Sequence, residues 1–320
     1  MYHFNSKTSF IVQKRIFCQS LVVCLRQKNL RRVRSFGIYI IGHNMMKHMT
    51  EKYTEKSNQK TFYWTSGSNG VCVLVIHGAT ADHRLFKHQF HFFEKHFEIV
   101  AVDVPAHGKS KPYANFNLKI AVDEIVKILD LEKIEKTHLI GQSMGGYISQ
   151  IVARFYPNRV KSIITVGSSP IQPKYYSRLD NWLLKITPTI LKAYPYHMLI
   201  KTIANQVSST NEGKKYMLET LKRYAKNEIV NIMKEVYVGI QEYRENKALN
   251  VPTLLTYGDN DRTGKVQAYN KKWAKNENLR LEIIPNAAHN ANMDNPIYFN
   301  DLAKEFIEGI ENTVANESYM

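Results

Sequence analysis

The sequence has little cysteine and no long apolar run. Its 320 residues include three cysteines, which are too few for a disulfide framework and are consistent with a reducing cytosol. No stretch approaches the ~20 apolar residues that a membrane-spanning helix requires. With 44% hydrophobic residues, the composition is that of a globular protein. We therefore expect a folded cytoplasmic protein that has no stable membrane span.

Acidic residues are absent from the first fifty positions, which carry nine Lys and Arg. This composition is typical of an organelle transit peptide or a membrane-surface segment. It is equally expected of an upstream extension that is not native, or of disordered chain, and the sequence leaves these alternatives open. We expect residues 1–50 to form a basic N-terminal extension outside the fold.

The formal net charge of +16 is spread unevenly. Residues 171–248 hold thirteen Lys and Arg against seven Asp and Glu, whereas the chain outside this segment and the first fifty residues is nearly neutral. A surface that binds a phosphate backbone usually extends over a recognition element with interleaved aromatic residues. We therefore expect no nucleic-acid partner, and we interpret 171–248 as a solvated basic face. The sequence makes no prediction of oligomeric state.

Apolar, β-branched runs alternate with segments of helical periodicity from about Thr61 onwards. This alternation is typical of βαβ units and a mostly parallel sheet. The predicted strands are 71–76, 98–103, 137–140, 162–167, 252–257 and 279–284, and the predicted helices are 85–97, 118–131, 147–156 and 301–310.

Residues 171–248 interrupt the alternation. They contain Pro173, Pro188 and Pro195, so they cannot form one long helix. Their many large apolar side chains predict a helical cap inserted between two strands of the sheet. Residues 51–170 and 249–320 then form the α/β core.

A glycine-flanked serine lies between a predicted strand and a predicted helix, in Gly141-Gln142-Ser143-Met144-Gly145. A sharp strand-to-helix turn crowds the backbone, so small residues are needed two positions either side of the serine. The turn exposes the hydroxyl of Ser143, and the backbone amide of Met144 points to where an oxyanion would form. The pattern predicts Ser143 as a nucleophile.

His77-Gly78-Ala79 follows the first buried strand and supplies a second oxyanion donor. Glycine lets this loop fold back over the nucleophile, which makes the backbone amide of Ala79 the natural partner of the Met144 amide.

A serine hydroxyl needs a base, and the sequence offers twelve histidines. His289 follows the last apolar strand, in a loop at a strand's carboxyl end where sites of parallel sheets gather. In enzymes with a serine on such a turn, the order along the chain is Ser, acid, His. Asp259 and Asp261 both satisfy that order. We prefer Asp261 because it lies further beyond the strand end, and Asp259 remains the alternative.

Three other polar residues stand in tight turns or at a strand end, namely His77, His107 and Asp103. The two histidines precede Ser143, so we expect structural hydrogen bonds from them rather than base catalysis. We expect the same of Asp103.

Together these residues resemble the α/β-hydrolase superfamily, in particular its capped fold-1, esterase-like serine hydrolases. The carriers, in chain order, are 77–78, 103–110, 141–146, 258–261 and 288–289, and the resemblance spans about residues 61 to 310. It implies an α/β fold with a mostly parallel eight-stranded sheet flanked by helices and an inserted helical cap. The family pattern supports Asp261 as the acid.

Two departures from the family pattern stand out. Ala106 occupies a position that often holds glycine, and Gln142 one that often holds histidine. The nucleophile position holds serine rather than aspartate, which argues against the haloalkane dehalogenase and epoxide hydrolase branches.

The resemblance implies hydrolysis of a small ester-like substrate by a Ser143-His289-Asp261 triad, without metal or organic cofactor. The apolar content of the cap suggests an apolar acyl or alkyl group, with Trp182, Leu183 and Met198 as candidate contacts. A lactonase, a carbon–carbon bond hydrolase or a perhydrolase would use the same triad. A hydrolase-fold ligand-binding receptor with little turnover is the alternative of another class.

Overall fold

The structure, a computed structural model, describes residues 49–66 and 70–317. The prediction of a basic extension over residues 1–50 therefore lies outside the described residues, except at Met49 and Thr50. Thr50 already belongs to the first strand.

Eight strands form one sheet in the order β1-β2-β4-β3-β5-β6-β7-β8. The pairs β1–β2 and β2–β4 are antiparallel and all other neighbours are parallel. The mostly parallel eight-stranded sheet is thus confirmed. The strands are β1 Thr50–Lys56, β2 Gln59–Ser66, β3 Cys72–Ile76, β4 Glu98–Val102, β5 Thr137–Gln142, β6 Val160–Val166, β7 Thr253–Gly258 and β8 Arg280–Ile284.

The β1–β2 hairpin is absent from the strands predicted by periodicity. Strand β1 reads Thr-Glu-Lys-Tyr-Thr-Glu-Lys and is exposed at most positions, so it has no apolar face to reveal it. Charged side chains on an edge strand discourage pairing with another chain. Ser57 and Asn58 both have positive φ, 51° and 61°, as a tight hairpin turn requires.

The described residues contain ten α-helices. The first begins at Lys87, directly after a 3-10 turn at His83–Phe86. Four of them, α4 to α7, fill the insertion between β6 and β7. The helices are α1 Lys87–Phe93, α2 Leu118–Leu131, α3 Met144–Phe155, α4 Arg178–Ala193, α5 Tyr196–Val207, α6 Asn211–Leu221, α7 Lys226–Glu242, α8 Val266–Glu277, α9 Ala291–Asp294 and α10 Pro296–Glu317.

The prolines shape the insertion in different ways. Pro195 caps the start of α5 and Pro173 opens a 3-10 turn, whereas Pro188 lies buried inside α4, which continues through it. Helix α4 packs against α7, and α5 packs against α6. The insertion is therefore two packed helix pairs rather than one long helix.

Strands β3, β5 and β7 are buried at every position, as central strands covered on both faces are. Parallel strands in such a sheet present their carboxyl ends at one edge, where loops meet. The loops after β3, β5, β6, β7 and β8 carry the residues of the candidate site.

Gly145, in the first turn of α3, lies against the end of β3 at backbone contact distance. A Cβ at Gly145 would lie 2.0 Å from the carbonyl oxygen of Ile76, and backbone on both sides leaves little room to relax. We expect Gly145→Ala to lower the unfolding free energy by about 2 kcal/mol or more. Gly309→Ala is the matched control, because Gly309 is exposed on helix α10 with no atom within 4 Å of an added Cβ. Equal unfolding free energies of the two variants in denaturant would contradict this expectation.

Candidate active site

Ser143 occupies a strained turn between β5 and α3. Its backbone has φ 50° and ψ −112°, a region that costs a non-glycine residue free energy and recurs at functional sites. The amide of Ser143 donates to the carbonyl of Val166 at 2.8 Å. A Cβ at Gly141 would lie 2.4 Å from the carbonyl carbon of Gly145. The need for small residues around the serine therefore has a direct steric cause.

His289 lies in the loop after β8 and is paired with Asp261. Its Nδ1 is 2.8 Å from Oδ2 of Asp261, and both side chains are buried. The other carboxylate oxygen accepts from the amide of Thr263 at 2.8 Å. A carboxylate oxygen without a proton can only accept, so a neutral imidazole in this contact donates from Nδ1 and keeps its lone pair on Nε2.

The carboxylate of Asp259, the alternative acid, forms hydrogen bonds away from the imidazole. Its Oδ1 accepts from the amide of Ala287 at 3.1 Å and from the side chain of Asn260, and the residue is exposed. Asp259 therefore stabilises the loop before the histidine, while Asp261 contacts the imidazole.

The serine and the histidine share a neighbour at Gly167, which follows β6. A Cβ at Gly167, where φ is 59°, would lie 2.9 Å from His289 Nδ1 and 3.2 Å from Asp261 Oδ2. The preceding residue, Val166, accepts the amide hydrogen of Ser143. Within the described residues, no hydrogen bond joins the Ser143 hydroxyl to the imidazole. Catalytic hydrogen bonds of this kind are often long without substrate.

Gln142 joins the serine turn to the histidine loop. Its Nε2 donates to the carbonyl of His289 at 3.2 Å. A Cβ at Gly78 would lie 2.0 Å from Gln142 Oε1 and 3.2 Å from Ser143 Cβ. The departure from the family pattern at position 142 thus places an amide where it bonds to the backbone of the histidine loop.

The amides of Ala79 and Met144 flank the serine on two elements. Gly78 brings the loop after β3 next to the Ser143 side chain, and Met144 is the first residue of α3. In residues 49–66 and 70–317, neither amide hydrogen bonds to a protein acceptor. The start of a helix also favours negative charge. Two backbone donors are therefore available beside the serine.

His77 and His107 make backbone hydrogen bonds within the loops around the site. His77 Nε2 accepts from the amide of Val104 at 3.0 Å, and Nδ1 donates to the carbonyl of Gly78 at 2.8 Å. His107 Nδ1 donates to the carbonyl of Pro105 at 2.9 Å. Burial lowers the pKa of both rings, that of His107 to about 3.

Asp103 holds the loop after β4 from within the core. Its Oδ1 accepts from the amide and the ring of His83, each at 2.7 Å, and its Oδ2 accepts from the amide of Lys109 at 2.6 Å. Ala106 in this loop has φ 68°, the left-handed region in which the family's more usual glycine carries no steric cost.

Two tyrosines that the motifs did not reveal stand near the serine. Tyr147 lies one helical turn after Ser143, and its hydroxyl faces the side chains of Tyr176 and Ser169. The Tyr176 hydroxyl donates to the carbonyl of Pro170 at 2.7 Å. Burial raises the pKa of both phenols, so they stay protonated. The i to i+4 spacing from the nucleophile is the sequence signal that identifies Tyr147.

The candidate substrate contacts in the insertion lie in different environments. Trp182 is 51% exposed and Met198 is 49% exposed, whereas Leu183 is partly buried. No helix within the described ranges is long and apolar enough to cross a membrane. The same residues contain no cluster of three or more His, Cys, Asp or Glu side chains able to hold a metal ion.

Comparison with known proteins assigns the family. The sequence model of the family described as 'alpha/beta hydrolase fold' matches residues 71–296 of the chain. The chain belongs to the α/β-hydrolase fold family. It is 27% identical over 264 residues to a pimeloyl-[acyl-carrier protein] methyl ester esterase of Wigglesworthia glossinidia brevipalpis, covering 78% of this chain and 98% of that protein.

Two further relatives extend the comparison. Monoacylglycerol lipase ABHD6 of Homo sapiens is 22% identical, with 84% of this chain and 85% of that protein covered. An esterase from Exiguobacterium antarcticum has the same fold, with a TM-score of 0.69, 16% identity, and 81% of this chain and all of that chain covered. The sequence-based prediction of a hydrolase is confirmed.

In this α/β-hydrolase, Asp294 ties the histidine loop to the helical insertion. Its Oδ2 accepts from the amide of Ala288 at 2.9 Å and from that of Ser209 at 2.7 Å. Its Oδ1 accepts from the amide and hydroxyl of Thr210, at 3.1 and 2.8 Å. The amide of Asn290 donates to the carbonyl of Val207 at 2.7 Å. The turn between α5 and α6 and the residues around His289 therefore form one hydrogen-bonded unit.

Removing the Asp294 carboxylate leaves the amides of Ala288, Ser209 and Thr210 without their acceptor. We expect Asp294→Ala to lower the unfolding free energy by about 2–3 kcal/mol. Asp301→Ala, at an exposed position of helix α10, is the matched control and should change stability by no more than about 0.5 kcal/mol. If the two variants unfold at the same urea concentration, the Asp294 carboxylate does not hold the histidine loop to the insertion.

Proposed function

We propose that the protein hydrolyses a small carboxylic ester, with Ser143 as nucleophile, His289 as general base and Asp261 as the acid that orients it. The observation that carries the proposal is the 2.8 Å contact between His289 Nδ1 and Asp261 Oδ2. Gln142, which precedes the serine held at φ 50°, donates to the backbone carbonyl of His289. The relatives named as esterases and lipases support the same reaction class.

Acylation is the first step. The Ser143 oxygen attacks the ester carbonyl carbon while His289 Nε2 takes the hydroxyl proton. The carbonyl oxygen becomes an oxyanion, which accepts hydrogen bonds from the amides of Ala79 and Met144. The carbon–oxygen bond to the alcohol then breaks, and the imidazolium gives its proton to the departing alkoxide. Asp261 stabilises the positive imidazolium throughout.

Deacylation repeats these steps with water as the nucleophile. His289 removes a proton from water, and the resulting oxygen nucleophile attacks the acyl carbon. The bond to Ser143 breaks, and the serine oxygen recovers a proton from the imidazolium. These steps use only side chains and backbone amides of the chain, so the proposal includes no metal or organic cofactor.

We further propose that helices α4 to α7 form a cap that shapes an apolar acyl or alkyl site. Leu184, Leu191, Ile203 and Val207 of the insertion pack, partly buried, against the core. The turn after Val207 is bonded to the histidine loop, which supports a position over the site. A lactonase, a carbon–carbon bond hydrolase and a perhydrolase remain alternatives with the same three residues, and a ligand-binding receptor remains the alternative of another class.

Variants of the three residues test the reaction. We expect Ser143→Ala and His289→Ala to abolish labelling by a fluorophosphonate probe and to remove measurable hydrolysis of p-nitrophenyl butyrate. Asp261→Asn should lower kcat by about 10⁴, because the imidazole loses its orienting acceptor. Asp259→Asn is the matched control and should retain kcat within about tenfold. Undiminished labelling of Ser143→Ala, or equal losses in the two aspartate variants, would contradict the assignment.

The length of the acyl chain tests the apolar site. Each buried methylene contributes about 0.8 kcal/mol, or about fourfold, so the two added methylenes should raise kcat/KM by about fifteenfold from p-nitrophenyl acetate to the butyrate. Monoacylglycerols, methyl esters and lactones belong in the same panel, with Ser143→Ala measuring background hydrolysis. A preference for acetate, or turnover of lactones alone, would point away from an apolar acyl ester.

A further inference from the structure

Helix α4 exposes large apolar side chains on one face. Leu179 is 59% exposed and Trp182 is 51% exposed. With Ile186, which is partly exposed, they stand three and four residues apart, so they share one side of the helix. The helix packs against α7. Other large apolar side chains, such as Phe155 and Ile297, are also exposed. Leu179, Trp182 and Ile186 differ in sharing one side of a single helix, and such contiguous apolar patches commonly mark interaction sites.

Basic residues recur along the same side of α4. Arg178, Lys185 and Lys192 are seven residues apart and all are exposed. None of the three side chains forms an ion pair with a carboxylate among residues 49–66 and 70–317. The one acidic residue of the helix, Asp180, is buried and lies 2.6 Å from Lys265 Nζ. The exposed side of α4, defined by Leu179, Trp182, Ile186 and these three basic residues, therefore carries uncompensated positive charge.

The exposed side of α4 is connected to the candidate site. Helix α4 begins two residues after Tyr176, whose phenol interacts with that of Tyr147, one turn beyond Ser143. A surface that binds the exposed side of α4 would therefore lie next to an element that contacts the serine helix.

We propose that the exposed side of α4 binds the surface of a lipid bilayer that contains anionic lipids. An aromatic and aliphatic stripe flanked by Lys and Arg is the pattern of a helix that lies in the membrane interface. Tryptophan favours the headgroup level, and long basic side chains reach from there to the phosphates. A partner that only offered acidic groups would leave Leu179 and Trp182 in water.

The proposal concerns binding and does not depend on hydrolysis. Where the protein also acts as an esterase, as proposed above, its substrate class becomes an ester dissolved in or released from a lipid surface. Vesicle binding by the full chain carrying Ser143→Ala separates the two ideas, because that variant should bind vesicles whether or not the parent cleaves esters.

Trp182 supplies a local probe of contact with lipid. The chain has three tryptophans, and Trp64 and Trp273 are buried, at 5% and 0% exposure. We expect vesicles of phosphatidylcholine mixed with phosphatidylglycerol to shift the tryptophan emission to shorter wavelength, and phosphatidylcholine alone to do so much less. Trp182→Phe should abolish the shift. This readout is independent of any contribution from the basic residues 1–50 to vesicle binding.

Two pairs of variants test which side chains bind. Leu179→Ser should weaken partition into anionic vesicles by about tenfold, whereas Ile297→Ser, at a position 77% exposed, should leave it unchanged. Lys185→Glu should weaken partition by about fivefold or more, with Lys271→Glu, on exposed α8 surface, as its control. Circular dichroism checks that each variant is folded.

Three results would overturn the proposal. One is an unchanged Trp182 emission in anionic vesicles. Another is equal partition of the paired variants, which would assign vesicle binding to a different part of the chain. The third is an emission shift that soluble polyglutamate reproduces in full, which would identify an acidic protein as the partner of α4.

Discussion

Close approach of backbone at the serine turn is the constraint on which the site depends. The carbonyl oxygen of Ile76 lies where a side chain on Gly145 would begin, and Gly141 faces the same helix turn. This contact brings the end of β3 and the start of α3 together, which places the amides of Ala79 and Met144 beside one hydroxyl. The strain of Ser143 follows, since the chain reverses from strand to helix within one residue.

The rest of the site is held by carboxylates and amides that are not proposed to react. Asp103 fixes the loop after β4, Gln142 bonds to the backbone of His289, and Asp294 joins that loop to the insertion. Asp103 and Asp294 each accept from two or more backbone amides, which rigidifies a loop more than a single hydrogen bond would. Gln142 donates to a single backbone carbonyl. A catalytic imidazole gains from such support, because a displacement of 1 Å lowers the rate steeply.

Sequence patterns predicted what depends on local periodicity and on backbone crowding. The helix predicted over 118–131 has those bounds in the structure, because most of its apolar positions are buried against the core at helical spacing. Strand β1 was missed because it buries almost nothing. Tyr176 was missed because its interaction is with Tyr147, 29 residues earlier in the chain. The choice between Asp259 and Asp261 needed the structure as well, since two residues of separation decide which carboxylate faces His289.

The structure changes the interpretation of the insertion more than that of any other segment. From the sequence, the excess of Lys and Arg indicates a solvated basic face, and Trp182 is interpreted as a residue that packs the cap or contacts the substrate. The structure places Trp182 and Leu179 in solvent on the side of α4 that also carries Arg178, Lys185 and Lys192. Neither burial nor ion pairing accounts for that combination, because the helix already packs against α7 with its other residues. A solvated face requires charge alone, so it is the exposed apolar side chains that make a lipid surface the better explanation.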